Sequence, residues 1–463
     1  MKVRFSVVPL LFLIYTTGIK SEWILVENNK YKYNRSNEDI DPAIITTESQ
    51  TLNLDKYLKF IKDPNHTTNI ESLIESKEFS EKVFPPGESP HFGYTTDKIW
   101  AYFRIEDQRS NQDLLYLTFN YPLLDFIAID CFTKNKQKIS YRAGDHIPIE
   151  EWNQKNRRPS FKLSEDVQEC WIGVESDSSM QMPLSLSTQE NYNQEFRYDI
   201  FIQSLYFGGL ITILIYNIFL SFTTKIYTYI LYCLFLLSYG LFQASFSGIG
   251  YVYLWPNSNP NWVDKTVPFF ITLVAIFSYL FAFNILDLKK KNFKIWKVSL
   301  GIFYFHLPHL LFLPFVPYKI SLFWILGLGV IWTIYLSAIS IYLGIKGNKV
   351  ARFFFIAWNF ILFGTLINTL LAVNILNRNM FTANAQQIGS VIEFTLLSIV
   401  LGYKLNLIQK EISKNLEAEV NIRTLEIEQQ KSALTAQKLR LERIQSFTRM
   451  IQNSADFEFD RDQ

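Results

Sequence analysis

The sequence has few cysteines, and one long stretch of it has few charged residues. Three cysteines in 463 residues exclude a small domain stapled by many disulfides. Residues 200–405 are nearly half of the chain, yet they carry only 16 of its 88 charged residues. The net charge of only +2 does not give the large excess of positive charge that is typical of proteins that bind a nucleic acid. We therefore expect neither a fully water-soluble enzyme nor a nucleic-acid partner.

The C-terminal part lacks the residues that a catalytic domain needs. From Asn406 to Gln452 there is no Gly or Pro, and no His follows His309. These absences exclude a Gly-rich phosphate loop and a histidine phosphoacceptor, and no metal-ligand cluster or nucleophile–base pair is evident there. About 55 residues are also too few for a catalytic domain. The sequence predicts no enzyme activity, no catalytic residue, no cofactor and no metal.

The first 20 residues have the layout of a secretory signal peptide. Lys2 and Arg4 precede an apolar run from Phe5 to Tyr15, and the small residues Thr16, Thr17 and Gly18 follow. The run is shorter than the roughly 20 residues that span a bilayer. A short membrane anchor is the alternative, and either would leave the following residues outside the cytoplasm.

Residues 21–198 show the period-two alternation of β-strands. In segment 98–106, Ile99, Ala101, Phe103 and Ile105 share one face. Residues 114–120, 123–132, 170–174 and 182–188 are further candidate strands, separated by turn residues. This spacing predicts an exported, all-β, jelly-roll-like sandwich. Within residues 51–80, helical spacing of apolar residues instead predicts a helix around Leu54, Tyr57, Leu58 and Ile61.

Two features of this domain leave alternatives open. Cys131 and Cys170 are either two buried thiols or a disulfide, because spacing alone does not place their Cα atoms within about 7 Å. Four aromatic residues could stack on a planar ligand such as a sugar, or they are ordinary core and edge residues. These ligand-binding candidates are Trp100, Tyr102, Trp152 and Trp171.

Residues 199–409 form the predicted membrane domain. Seven apolar runs are long enough to cross a bilayer, and they cover about 200–222, 226–247, 266–286, 297–316, 320–345, 353–376 and 387–408. With an exported N-terminus, seven crossings put the C-terminus in the cytoplasm. The predicted inner loops hold nine basic residues and the outer loops three, which agrees with the positive-inside rule. We expect a multi-pass protein of the bacterial cytoplasmic (inner) membrane.

Several polar residues lie inside these spans. Glu393 in the seventh span is a candidate switch or proton-sensing group, because a carboxylate in the membrane is costly unless it pairs or protonates. The alternative is a static hydrogen bond to Asn217 or Asn368. His306 and His309 flank Pro308; a kinked helix with polar contacts explains them better than a shared metal does.

Residues 410–452 have the composition of a helix, and 453–463 an acidic, frayed tail. Apolar residues recur every seven positions, at Val420, Ile427, Leu434 and Leu441. Arg423, Gln430 and Gln437 fill the alternate seam position. This pattern predicts a marginal parallel coiled coil in a homodimer, and a lone charged helix is the alternative.

Three sets of segments, in this order, resemble one known family. Segments 91–105, 121–130, 142–152 and 170–188 resemble its extracellular β domain, and 214–222, 234–256 and 385–406 resemble its seven-span domain. Segment 416–434 is similar to the connector before its output module. The family is that of the bacterial seven-transmembrane receptors with diverse intracellular signalling modules. The resemblance implies a sensor whose extracellular domain is carbohydrate-binding-like.

The sequence therefore predicts a membrane signal-transduction receptor with three parts: an exported β-sandwich, a seven-helix bundle and a cytoplasmic coiled coil. The sandwich binds an unidentified, carbohydrate-like ligand, and the coiled coil engages a separate cytoplasmic effector. The lipid bilayer and a second copy of the chain are the other expected partners. The alternative is a membrane transporter, or a structural envelope protein, with a passive helical tail.

Overall fold

The structure is a computed structural model that describes residues 41–46, 51–68, 70–76, 89–109, 114–372, 375–376 and 380–459. The predicted signal peptide lies outside these residues. The chain forms two compact units, Met1–Val400 and Leu401–Gln463.

The N-terminal part of the first unit is built of β-strands. Across the described residues they form a six-stranded sheet, a four-stranded sheet and a two-stranded pair. The strands are β1 (Ala43–Ile45), β2 (Thr51–Asn53), β3 (Lys59–Asp63), β4 (His91–Gly93), β5 (Lys98–Asp107), β6 (Leu115–Phe119), β7 (Phe126–Thr133), β8 (Lys138–Ala143), β9 (Ser160–Lys162), β10 (Val167–Glu175), β11 (Met180–Gln181) and β12 (Leu184–Thr188).

The two larger sheets share one apolar core. The six-stranded sheet has the order β1-β5-β10-β7-β8, with β3 also paired to β5, and the four-stranded sheet has the order β2-β12-β6-β9. Ile99, Phe103 and Ile172 from the first sheet and Leu117 and Leu186 from the second are buried in the same cluster. The alternation in β5 thus placed the apolar side chains correctly, since period two puts every second side chain on one face.

The helix predicted around Leu54 and Ile61 is wrong. Leu54 follows β2, and Ile61 lies in β3, which pairs antiparallel with β5. The described helix of this region, α1, is Ile70–Ser76. Pairing with distant strands overrides the helical spacing, because a local pattern carries no information about a partner strand.

Cys131 and Cys170 form a disulfide, so the interpretation as two free thiols is wrong. Cys131 lies in β7 and Cys170 in β10, and the two residues face each other directly across this strand pair. Both are fully buried. Direct cross-strand pairing supplies the short Cα–Cα separation that residue spacing alone could not establish.

The rest of the described chain is helical. The described residues contain seven helical segments that are long and apolar enough to cross a membrane. The helices are α2 (Gln189–Thr224), α3 (Tyr227–Phe246), α4 (Pro260–Ile285), α5 (Leu288–Lys291), α6 (Phe293–Tyr304), α7 (His306–Phe312), α8 (Tyr318–Ile345), α9 (Lys349–Ala372), α10 (Met380–Ala383) and α11 (Ala385–Phe459). The predicted fold class is confirmed for the β-rich domain, the seven candidate spans and the long C-terminal helix.

The fourth span has the kink that the sequence predicted, because its helix is broken at Phe305, between α6 and α7. Pro308 explains the break, because it cannot donate a hydrogen bond to the carbonyl four residues earlier. Helix α11 continues to Phe459, so most of the segment predicted to be frayed is helical.

Candidate functional site

A tight turn after β8 brings polar side chains of the sandwich together. The backbone N–H of Asp145 donates to Leu124 O at 2.9 Å, and that of His146 donates to Asp125 O at 3.0 Å. Gly144, at φ +124°, lies so close that a Cβ would stand 2.3 Å from Asp125 O. Only glycine fits there, and the turn holds Asp145 and His146 beside Asp125.

This turn faces the first part of helix α4. His146 Nε2 lies 2.7 Å from Asp264 Oδ1 and 4.0 Å from Asp125 Oδ2. Ligand atoms of Asp125, His146 and Asp264 all lie within 4.8 Å of one another. We call these three residues with Asp145 the junction cluster, because they join the sandwich to the helical domain.

Burial and neighbouring charges together raise the pKa values of three members of the junction cluster, Asp125, Asp145 and His146. Burial raises the pKa of Asp125, against the hydrogen bonds from the Asp177 amide and the Ser176 hydroxyl. Burial also raises the pKa of Asp145 well above its ordinary value, and the Asp125 charge adds to this. Burial alone would lower the pKa of His146, but the hydrogen bond and charge of Asp264, then Asp125 and Asp145, raise it to about 9. The cluster thus attracts positive charge.

The junction cluster borders a small cavity between the sandwich and the helices. Its volume is about 30 Å³, and Asp125, Asp145, Asp264, Tyr251 and Tyr318 are among its lining residues. This is room for about two water molecules or an ion, whereas pockets for organic ligands measure roughly 300–1,000 Å³. A sugar does not fit here.

A second set of contacts ties the sandwich to the helices. Arg157 and Arg158 both donate to the Asp199 carboxylate of α2, Arg158 at 2.7 Å. Arg157 also donates to Ser247 O at 3.1 Å, just after α3. Asn257 Oδ1, between α3 and α4, accepts from the N–H of Ile149 at 3.0 Å. The sandwich therefore contacts α2 and the segment between α3 and α4 through oriented polar bonds.

The four aromatic ligand-binding candidates are all buried. Trp100, Tyr102 and Trp171 pack with Ile70 and Leu73 of α1 in a cluster on the outer face of the sheet. Helix α1 covers the sheet face that the alternation of residues predicted to be outward. Packing against α1 therefore accounts for the position of these three aromatic residues.

Trp152 lies near the helices instead. Its ring packs against Tyr251, and its indole N–H donates to Ile147 O at 3.0 Å. A role in ligand binding for Trp152 and the three residues under α1 stays a prediction.

Glu393 is completely buried, and neither carboxylate oxygen has a hydrogen-bond partner among the described residues. Asn217 donates to Ile213 O and to Ser398 Oγ instead. Asn368 donates to Gln386 Oε1 at 3.3 Å. The alternative interpretation, a static hydrogen bond between Glu393 and either asparagine, is therefore wrong, and the role of Glu393 as a switch stays a prediction.

His306 and His309 are buried in the broken fourth span. His309 hydrogen-bonds Thr272 Oγ1 of α4 and Ser321 Oγ of α8, both at 2.8 Å. His306 Nδ1 lies 3.2 Å from Ile302 O, and its ring contacts Tyr279. These are the polar contacts that the kinked-helix interpretation expects.

The junction cluster was missed by sequence analysis, which pointed to no metal-ligating group. His146 and Asp264 are 118 positions apart, and nothing in either local pattern reveals the partner. A weak signal was present: Asp264 is a carboxylate at the edge of an apolar span, and Gly144-Asp145-His146 is a turn-forming segment.

Comparisons with known proteins agree with this architecture. A family model described as 7TM diverse intracellular signalling matches residues 199–404, and one described as 7TMR-DISM extracellular 2 matches residues 55–188. The matched segments lie in the helical domain and the sandwich, and they cover nearly three quarters of the chain. No curated protein matches the chain. The two matches, in this order and on these two domains, show that the chain belongs to the family of seven-transmembrane receptors with diverse intracellular signalling modules, with its extracellular sensor domain.

Proposed function

We propose that this membrane receptor reports an extracytoplasmic ligand to a separate cytoplasmic effector protein, and that the chain itself is not an enzyme. The observation that carries the proposal is the polar attachment of the sensor domain to the helices. Asp199 of α2, Ser247 after α3 and Asp264 of α4 all contact it. Such oriented bonds let a small change in the sensor domain bias the positions of these helices.

The effector would engage the C-terminal helix. The described residues after Val400 are one continuous helix, in which Val420, Ile427, Leu434 and Leu441 are all more than half exposed. The seven-residue period of these apolar side chains suits a second copy of the chain. We therefore propose a homodimer whose paired helices present the effector surface. The carbohydrate-like ligand remains part of the proposal on the family resemblance alone.

Deleting residues 411–463 tests the receptor function against a transporter or a structural envelope protein. The measured quantity is the transcript profile of cells that carry the full-length gene, the deletion or no gene. We expect the transcript profile of the deletion strain to match that of the strain without the gene, because the part of α11 that would engage the effector is lost. Deleting only residues 453–463 is the control and should preserve the full-length profile. If the strain with residues 411–463 deleted keeps the transcript profile of the full-length strain, the result would favour a transporter or structural envelope protein with a passive helical tail.

The C-terminus should lie in the cytoplasm of the bacterial inner membrane. The proposed inner loops hold nine basic residues against three outside, and this bias sets orientation. A reporter that is active only in the cytoplasm should work when it is fused after Gln452 and fail when it is fused after Asn257. Activity in the reverse pattern would contradict this topology.

Cysteine crosslinking tests the proposed dimer. In a background with Cys233 replaced by alanine and the native disulfide kept, Val420→Cys or Leu434→Cys should crosslink rapidly between chains in membranes. Glu428→Cys, outside the seam, should crosslink much more slowly. Equal, slow rates at the three positions would mean that the helix does not pair along this seam.

A further inference from the structure

The junction cluster places one imidazole and two carboxylates close enough to share an ion. Ligand atoms of Asp125, His146 and Asp264 all lie within 4.8 Å of one another. None of the three side chains is fully exposed to solvent. Imidazole nitrogens and carboxylate oxygens are both ligands that Zn²⁺ takes in proteins.

Asp145 supplies an independent observation beside this site. Its Oδ1 is out of contact with solvent and has no hydrogen-bond donor among the described residues. Asp145 also lines the small cavity together with Asp125 and Asp264. Buried carboxylate oxygens are normally satisfied, so a cation bound next to Asp145 would compensate this oxygen.

The distances suit a small metal ion. Ligand atoms about 2.0–2.2 Å from Zn²⁺ stand roughly 3.3 Å apart in a tetrahedral site. His146 Nε2 is 2.7 Å from Asp264 Oδ1 and 4.0 Å from Asp125 Oδ2, so shifts of about 0.7 Å bring these two pairs to that separation. The Asp125 and Asp264 ligand atoms lie within 4.8 Å of each other. Asp125 Oδ2 also accepts a hydrogen bond from the Asp177 amide at 2.7 Å. In metal sites, such bonds from neighbouring groups fix the orientation of a ligating carboxylate.

We propose that Asp125, His146 and Asp264, with Asp145 beside them, bind a divalent transition-metal ion, Zn²⁺ or one that binds like it. An imidazole together with carboxylates favours zinc over Ca²⁺, which takes six to eight oxygen ligands, and over Mg²⁺, which keeps its waters. Two ligands come from the sensor domain and one from α4. The ion therefore joins the sensor domain to the first part of that helix.

The inference goes beyond the proposed function and does not depend on it, because metal binding is measured without a signalling output. The full chain, solubilised in detergent and stripped of metal, is dialysed against Zn²⁺ at pH 7, and bound zinc is counted. We expect one saturable site per chain that a hundredfold excess of Ca²⁺ does not empty. Absence of saturable binding, or displacement by equimolar Ca²⁺, would overturn the assignment.

Variants locate the ion. Asp264→Asn and Asp125→Asn should each weaken zinc binding at least tenfold. His66→Gln is the matched control, because His66 forms an exposed pair with Glu175 at 3.2 Å in the same domain, and it should bind zinc like the wild type. Unchanged affinity in both aspartate variants would overturn the proposed site.

A spectroscopic variant keeps the test decisive if an aspartate variant fails to fold. His146→Cys loaded with Co²⁺ should show thiolate-to-cobalt charge-transfer absorption, because the thiolate replaces the imidazole as a ligand. His66→Cys should not show this band. Its absence from His146→Cys, or its presence in both variants, would contradict direct ligation at position 146.

Discussion

Replacing Asp199 by asparagine is expected to lower the melting temperature of the full chain in detergent by roughly 10 °C. Its carboxylate accepts from both Arg157 and Arg158, and the side chains of Asp199 and Arg157 are about nine-tenths buried. Removing one partner of a buried ion pair costs about 3–5 kcal/mol, because the remaining charge is left uncompensated. In domains of 150–250 residues, each kcal/mol shifts the midpoint by about 2–4 °C.

An ion pair with one exposed partner, in the sensor domain, is the matched control. Asp130 pairs with Lys138 at 3.2 Å, and the side chains are 19% and 46% exposed, respectively. Asp130→Asn should change the melting temperature by only about 1–2 °C, because the lysine left behind stays in contact with water and such pairs contribute little. Equal shifts in the two variants would mean that the Asp199 contact does not anchor the sensor domain to α2.

Replacing Cys131 and Cys170 together by alanine is expected to lower the stability of the sensor domain by about 4 kcal/mol. The disulfide closes a loop with a sequence separation of 39, and constraining such a loop in the unfolded chain has about this effect. Thermal unfolding of the full chain, followed with and without reductant, gives the measurement. Reductant should lower the midpoint of the wild type and leave that of the double variant unchanged.

Cys233→Ala is the control for loss of a thiol. Cys233 is a buried free cysteine of α3, so its replacement should leave the response to reductant intact. A wild-type midpoint that reductant does not move would contradict a stabilising role for the Cys131–Cys170 bond.

The sequence predicted the features that depend on local pattern. Apolar runs long enough to cross a bilayer are visible in the sequence because hydropathy needs no partner. The alternation of Ile99, Ala101, Phe103 and Ile105 placed one face of β5 in the core for the same reason. Such patterns depend only on residues that are close in sequence, so they can be recognised without knowledge of the fold.

Features that depend on distant partners could not be predicted. Leu54 and Ile61 have helical spacing, yet β3 is fixed by pairing with β5. The disulfide depends on β7 and β10 being neighbours. The junction cluster joins residues 118 positions apart. In each case the deciding contact is between segments that only the fold brings together.

If the sensor domain controls the C-terminal helix, as we propose, a change at their connection should alter how the helices of two chains pair. The rate of interchain crosslinking at Val420→Cys in membranes measures this pairing, in combination with Asp199→Asn or with the control Asp130→Asn, below the melting temperature of either variant. We expect Asp199→Asn to change this rate by roughly fivefold or more, as typical coupling free energies imply, and Asp130→Asn to leave it unchanged. The same rate in both variants and in the parent protein would contradict this proposal.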